Sequence, residues 1–201
     1  MAEKRAELAV AALQTLAELG FARATLREIA QNSPYSHGLV HYYFADKADL
    51  ITECVKQYKI VCVRRYDAVV SDAETPAELR TGFARDFATT MVDDSAMHRL
   101  WYDLRSQCMF EQGFRDEVAA IDKSLEKMIW RIVRRYAELC GQPLAVGSAF
   151  AYSLFDGLFQ HALIRHLDGH SNAASTLRRQ TRMALDQLVP FAASNSPAVA
   201  S

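Results

Sequence analysis

Residues 25–50 read TLREIAQNSPYSHGLVHYYFADKADL, and capping signals divide this stretch into short helices. Thr25 followed three residues later by Glu28 is the pattern of a capping box, in which the two side chains satisfy free amides at a helix start. Pro34 ends that helix because it lacks an amide hydrogen. Ser36 can cap a second helix. The stretch therefore predicts a helix-turn-helix.

The second of these helices, at about 37–42, has a chemically mixed outward face. Val40 and Phe44 are expected to pack back against the first helix, and Asp46 can cap a third helix behind the pair. The outward positions carry rings, a small residue and hydrogen-bonding tips, namely His37, Gly38, Leu39, His41 and Tyr42. Such a helix can read base edges in the major groove of DNA.

Residues 8–50 resemble the N-terminal DNA-binding domain of the TetR family of transcriptional regulators. The segments that carry the resemblance are TLREIA from Thr25, SHGLVHYYF from Ser36 and DKADL from Asp46. The resemblance implies phosphate contacts by Thr25 and Lys47, and contacts to bases or backbone along the second helix. The predicted DNA-binding set is Thr25, Arg27, Ser36, His37, Gly38, Leu39, His41, Tyr42, Tyr43 and Lys47.

Two features depart from the family pattern, the turn before the second helix and one residue within that helix. The family usually has Ala-Gly-Val where this chain has Ser33-Pro34-Tyr35, and usually a tyrosine at the position of His41. The shape of the turn and the contact by His41 are therefore open. The histidine followed by Tyr-Tyr-Phe resembles the BetI-like branch of the family.

Each of these residues also has a structural interpretation. Thr25 and Asp46 cap helices whatever else they contact. Tyr43 and Phe44 are candidates for the core, and Lys47 for an ordinary solvated lysine. Only the combination of residues favours DNA binding.

Charge is the main objection to nucleic-acid binding. The 201 residues carry a formal net charge of -1, whereas phosphate neutralisation by Lys and Arg usually supplies general affinity for DNA. Residues 1–47 are neutral, since five basic side chains balance five acidic ones. Arg23, Arg27 and Lys47 flank the predicted DNA face while Glu28 is engaged in its cap, so a modestly positive surface is expected, and binding by a dimer gains importance.

The rest of the chain predicts further helices and an all-α fold of about nine helices. The first covers about 3–19, with Gly20 as its stop. The fourth carries an apolar stripe from Leu50 to Tyr66, with Lys56 and Lys59 away from the stripe's centre. Later helices are expected at about 76–93, 95–110, 114–139, 144–167 and 173–189. The predicted domains are 1–47 for DNA binding, 48–192 for ligand binding and dimerisation, and 193–201 as a disordered tail.

The helix at about 144–167 is apolar around most of its circumference, so it must be covered on two sides. The simplest cover on one side is a second copy of the chain. The last two helices, about 144–189, are therefore predicted to form a four-helix bundle in a homodimer.

Aromatic and soft side chains between these helices are candidates for an apolar ligand pocket with one cationic anchor. The predicted lining is Phe87, Met91, Trp101, Tyr102, Arg105, Met109, Met128, Phe155 and Phe159. The alternative is that they simply pack together as core.

Signals for catalysis are missing. The sequence contains no Glu-x-x-His, HExxH, P-loop, GxGxxG or GxSxG motif, and its four cysteines lack metal-ligand spacing. They are expected to be reduced thiols. No apolar run approaches the length of a membrane span, and no signal peptide is evident, so a soluble, cytoplasmic protein is expected.

Together these patterns predict a homodimeric, ligand-responsive regulator that binds double-stranded DNA. It is expected to repress from a palindromic operator, to be released by a small organic ligand, and to need no cofactor, metal or membrane. The alternative is a helical small-molecule-binding protein or small enzyme whose helix-turn-helix is not used for DNA.

Overall fold

The computed structural model describes residues 2–23 and 25–189, which form ten α-helices, one short 3-10 helix at Gln112–Phe114, and no strand. The helices are α1 Ala2–Arg23, α2 Leu26–Gln31, α3 His37–Tyr43, α4 Lys47–Cys62, α5 Asp67–Asp72, α6 Pro76–Asp93, α7 Ser95–Gln107, α8 Arg115–Cys140, α9 Ser148–Leu167 and α10 Ala173–Leu188. The predicted all-α class is confirmed. The tail at 193–201 lies outside the described residues.

Local capping sets the start of several helices. Glu28 N donates to Thr25 Oγ1 at 3.1 Å and Thr25 N donates to the Glu28 carboxylate at 3.0 Å. The same reciprocal box forms between Thr75 and Glu78 at the start of α6. Both helix starts are confirmed where the sequence predicts them.

Two helix ends differ from the sequence prediction. α1 continues past Gly20 to Arg23, and α4 ends at Cys62 instead of continuing to Tyr66. The ring of Tyr66 turns into the core, where it lies edge-on to Phe83 with ring centroids 5.2 Å apart. The chain then enters α5, a short helix that the sequence analysis did not predict.

α4 packs against α1 and also against α7 and α8. In its first half, Leu50 and Ile51 are buried and the Cys54 thiol donates to the Ala9 carbonyl of α1 at 3.1 Å. In its second half, Lys59 and Cys62 are also buried. Both halves of the helix are therefore held by packing.

A polar link joins three helices on the far side of α6. Asp186 of α10 accepts from Arg80 of α6 at 2.7 Å and from the Tyr136 hydroxyl of α8 at 2.6 Å. One carboxylate thus fixes the relative positions of α6, α8 and α10, which surround the larger part of the core. The division of the chain into domains near residue 47 stays a prediction.

Phe83→Ala should destabilise the fold strongly. The Phe83 side chain is fully buried and its ring contacts Tyr66, Phe87 and Phe155, so truncation leaves a cavity that costs about 3–5 kcal/mol. Urea unfolding followed by circular dichroism measures the loss. Phe110→Ala is the control, since Phe110 is 81% exposed and should change stability by no more than about 0.5 kcal/mol. Equal effects of the two variants would contradict this account of the core.

Candidate DNA-binding surface and interior cavity

α3 projects from the protein with most of its surface free. Ser36 caps it by accepting from Leu39 N at 3.3 Å, and among its seven residues only Val40 is buried. Tyr42 is 70% exposed. The helix thus buries one side chain fully and presents most of the others outward.

The predicted DNA-binding residues lie together on one set of elements, the starts of α2 and α4 and the whole of α3. None of them is fully buried. The exposed ones are Thr25, Arg27, Ser36, His37, Gly38, His41 and Tyr42, and the partly buried ones are Leu39, Tyr43 and Lys47. Glu28 is engaged in its cap, as predicted. The Arg23 side chain lies outside the described part of the structure.

The two histidines of α3 form a pair. His37 Nε2 lies 3.1 Å from His41 Nε2, and the rings meet edge-on with centroids 4.4 Å apart. His41 stands where the family usually has tyrosine, and here its ring is oriented by His37. The two side chains therefore form one polar unit on the outward face of the helix.

The unusual turn before α3 is attached to α1. The Tyr35 hydroxyl donates to the Glu7 carboxylate, and Lys4 Nζ lies 5.0 Å from the centroid of the Tyr35 ring. Lys4 also pairs with Glu7 at 2.8 Å. Tyr35 thus ties the turn to the first helix.

Arg5 holds α1, α3 and α4 together, a contact that the sequence analysis missed. Its guanidinium donates twice to the Asp49 carboxylate, at 2.6 and 3.2 Å, and once to the Tyr43 carbonyl at 2.5 Å. It also lies 4.6 Å from the centroid of the Phe44 ring. The bonds from Arg5 lower the pKa of Asp49 below its ordinary value. Because the partners are about 40 residues apart in sequence, no local pattern announces the contact.

An interior cavity lies between α4, α6, α7, α8 and α9. Its volume, measured as the space open to the centre of a water molecule, is about 60 Å³. This volume is small compared with that of typical ligand pockets. Five of the predicted lining residues do line it, namely Phe87, Trp101, Tyr102, Met128 and Phe159.

The other four predicted lining residues lie elsewhere. Met91 and Phe155 are buried in the packed core, where Phe155 contacts the rings of Phe83 and Phe87. Met109 is 67% exposed. Arg105 lies behind the cavity wall, paired with Asp156 and Asp122. These four residues therefore belong to the core or to the surface, and they do not line the cavity.

Several lining residues were not singled out from the sequence: Lys59, Cys62, Tyr66, Thr90, His98, Leu125, Ile129, Tyr152 and Asp156. Lys59 was expected away from the apolar stripe of α4, yet it is only 5% exposed. Its spacing from Val55 and Cys62, four and three residues, is the helical signal that places it on the buried side.

The acidic group of the cavity is already neutralised. Asp156 accepts from Arg105 at 2.5 Å and from the Tyr102 hydroxyl at 2.9 Å. Behind it, Asp122 accepts from the Tyr152 hydroxyl at 2.5 Å. Both carboxylates thus have donors from the protein itself.

His98 is buried in the cavity wall, with Nε2 lying 3.3 Å from the Tyr58 hydroxyl. Burial lowers the pKa of His98 well below its usual value, and the nearby charges of Lys59 and Arg65 lower it further. Its imidazole is therefore neutral near neutral pH.

Within residues 2–23 and 25–189, no group of three or more His, Cys, Asp or Glu side chains could hold a metal ion. No helix in this part of the chain is long and apolar enough to span a membrane. The cysteines in it are free thiols.

A family model described as bacterial regulatory proteins, tetR family, matches residues 8–54. This segment contains α2, α3 and the first half of α4. This part of the chain matches the TetR family. The family resemblance predicted from residues 8–50 is thereby confirmed.

Similarity to individual proteins extends beyond this segment. The HTH-type transcriptional regulator BetI of Stenotrophomonas maltophilia is 26% identical over 180 residues, covering 87% of this chain and 88% of that protein. BetI of Burkholderia thailandensis is 32% identical over 115 residues, and the aligned part spans 56% of this chain and 58% of that relative. The chain is thus similar to BetI regulators, although its alignment with the Burkholderia protein spans less than two thirds of that relative's length.

Solved structures share the fold over nearly the whole chain. A TetR-family regulator from Rhodococcus sp. superimposes with a TM-score of 0.73 and 17% identity, covering 94% of this chain and 100% of that one. FadR from Bacillus subtilis, in complex with stearoyl-CoA, superimposes with a TM-score of 0.70 and 15% identity, covering 92% and 98%. At these identities the likeness establishes the fold alone.

His98 should make the fold less stable in mild acid. Its pKa is lowered in the folded state, so below about pH 6.5 the unfolded chain binds a proton that the folded chain does not, and stability falls as pH falls. The melting temperature of His98→Gln should therefore fall less than that of the wild type when the pH is lowered from about 7.5 to about 5.5. His170→Gln, at an exposed position between α9 and α10, should behave like the wild type. An unchanged loss in His98→Gln would contradict the prediction.

Proposed function

We propose that this chain is a homodimeric, ligand-responsive repressor that binds a palindromic operator through α3 and is released by a small organic effector. The observation that carries the proposal is the outward projection of α3, in which only Val40 is buried, within a segment that matches the TetR family. As a regulator of chromosomal DNA in a bacterium, it would act in the cytoplasm.

In this proposal α3 enters the major groove. His37 and Gly38 lie at the first turn of the helix, where base edges would be reached first. The space around Gly38 is open, since a β-carbon added there would meet no atom of another element within 4 Å, and this permits close approach to DNA. Thr25 and Lys47, at the starts of α2 and α4, would contact phosphates on either side.

Two substitutions separate phosphate contact from base reading. Lys47→Ala should weaken binding to all DNA sequences by a similar factor and reduce the salt dependence of log K by about one unit per log of salt. His37→Ala should change sequence preference. The measurement is a gel shift with DNA from upstream of the gene, across salt concentrations and single-base variants.

Lys127→Ala is the matched control, since Lys127 is exposed on α8 and should leave binding unchanged. If neither Lys47→Ala nor His37→Ala alters binding, the assignment of α3 as the reading helix is wrong. If the wild type shows no specific binding at all, the chain would act instead as a helical small-molecule-binding protein.

The dimer would form through α9 and α10. Large apolar side chains lie exposed there, which is unusual for a monomer surface: Phe150, Ile164, Leu167 and Met183. Gly157 lies on the same exposed side of α9, with no atom near the position of an added β-carbon. The glycine would let a partner helix approach closely, and the two-fold symmetry would present two α3 helices roughly 34 Å apart.

Gly157→Arg should convert the dimer into a folded monomer. An arginine fits the monomer without a clash and favours helix more than glycine does, but it would place a long charged side chain at the interface. Light scattering after size exclusion gives the mass, and circular dichroism the helix content. Ala119→Arg, at an exposed position of α8, should remain dimeric. A dimer that persists in Gly157→Arg would place the interface elsewhere.

Release would proceed through α4. Its second half borders the cavity at Lys59 and Cys62, and its first half packs on α1. A ligand that binds a tilted α4 more tightly shifts the spacing of the two reading helices, and a differential affinity of about 5.5 kcal/mol suffices for a swing from 1:99 to 99:1. The FadR structure, which has the same fold, contains a bound acyl-CoA.

A further inference from the structure

Lys59 is a buried cation without an anionic partner. It is 5% exposed, and its side chain lines the interior cavity. No residue in the described part of the chain forms an ion pair or side-chain hydrogen bond with its Nζ. Its Nζ lies over two aromatic rings, 5.2 Å from the centroid of Trp101 and 5.4 Å from that of Tyr58.

Trp101 brings a second donor without an acceptor to the same cavity. Its indole Nε1 is buried and finds no hydrogen-bond partner among the described residues, and the residue lines the cavity. An indole N–H can only donate, and an ammonium has three donors and no acceptor. Leaving such groups buried and unpaired is costly. This wall of the cavity therefore has two unpaired donors and would be stabilised by a hydrogen-bond acceptor.

Asp156, the acidic residue in the cavity wall, does not supply that acceptor. Both oxygens of Asp156 are engaged, one by Arg105 and the other by the Tyr102 hydroxyl. Burial lowers the pKa of Lys59 more than the nearby Cys62 and Asp156 raise it, which is expected for an ammonium that has left water without forming a direct ion pair. A negative charge brought beside it would stabilise the charged form.

We propose that the cavity binds an organic carboxylate, whose anionic end pairs with Lys59 and accepts from the Trp101 indole. Its apolar body would lie against Phe87, Met128 and Phe159. This inference rests on the proposed response to a small effector and names the chemical class of that effector.

The aromatic rings of the cavity also raise the opposite possibility, a quaternary ammonium held by cation–π contacts. Lys59 argues against it, because the ammonium already lies against the Trp101 ring and would repel a second cation. Asp156, the one carboxylate in the wall, is neutralised by Arg105. The charges that remain therefore favour an anion.

The test compares acids with uncharged and cationic analogues. Benzoate, phenylacetate, hexanoate and decanoate are each titrated against the full chain by calorimetry, beside the corresponding primary amides and benzyltrimethylammonium. At least one acid should bind roughly tenfold or more tightly than its amide, since a hydrogen bond to a charged group is worth that much.

Lys59→Met should remove this preference, weakening the acid by roughly tenfold while the amide changes little. Lys56→Met, which changes an exposed lysine of the same helix, should keep it. The ligand-free protein gives a second readout. Replacing an unpartnered buried ammonium with a side chain of similar length should raise the melting temperature by about 2–4 °C, whereas removal of a structural lysine would lower it.

Three results would overturn the inference: acids and amides that bind equally or not at all, tighter binding of the quaternary ammonium, or a lower melting temperature in Lys59→Met. DNA binding of the unliganded protein, measured by gel shift on the same preparations, tests the proposed regulator separately. A chain that binds carboxylates but no DNA would refute the proposed function and keep this inference.

Discussion

The continuity of α4 is the constraint on which the rest of the structure depends. Cys54, which is bonded to α1, and Lys59, which borders the cavity, are five residues apart on one unbroken helix. That separation is about 7.5 Å along the axis. Because every interior amide of the helix is bonded within it, the helix shifts or tilts as a body. A change of packing at the cavity is therefore transmitted directly to the end of α4 that packs on α1.

Arg5 determines what moves with α4. Its guanidinium bonds to Asp49 in the first turn of α4 and to the last residue of α3, Tyr43, while Tyr35 ties the turn before α3 to α1. α3 is thus attached at both of its ends to the helices around it. These contacts oppose a reorientation of α3 by itself and favour its movement together with α4. In the proposed function, coupling between the cavity and α3 then needs only this one helix.

The sequence was sufficient wherever a local rule decides the structure. The boxes at Thr25 and Thr75, the break at Pro34 and the caps before α3 and α4 each involve residues within four positions, and each is found in the structure. The end of α4 was not predictable in this way. Tyr66 leaves the helical path because Phe83 and Phe87 offer it a buried site, and the Val63 carbonyl accepts from Arg131, which is 68 residues away. Such partners have no local signature.

The burial of Lys59 in the cavity wall could not be predicted from the sequence either, because the residue is charged. Periodicity alone places Lys59 on the buried side of α4, between Val55 and Cys62, but its charge suggested a solvated position, because lysine is rarely buried without a partner. Whether a partner exists is a property of the tertiary structure, and here the surrounding acids are engaged by Arg105, Tyr102 and Tyr152. An apolar residue at this position would satisfy the core better. A local inconsistency of this kind is expected at functional sites rather than in plain packing, and Lys59 lies in the wall of the cavity, on the helix that connects the cavity to α1.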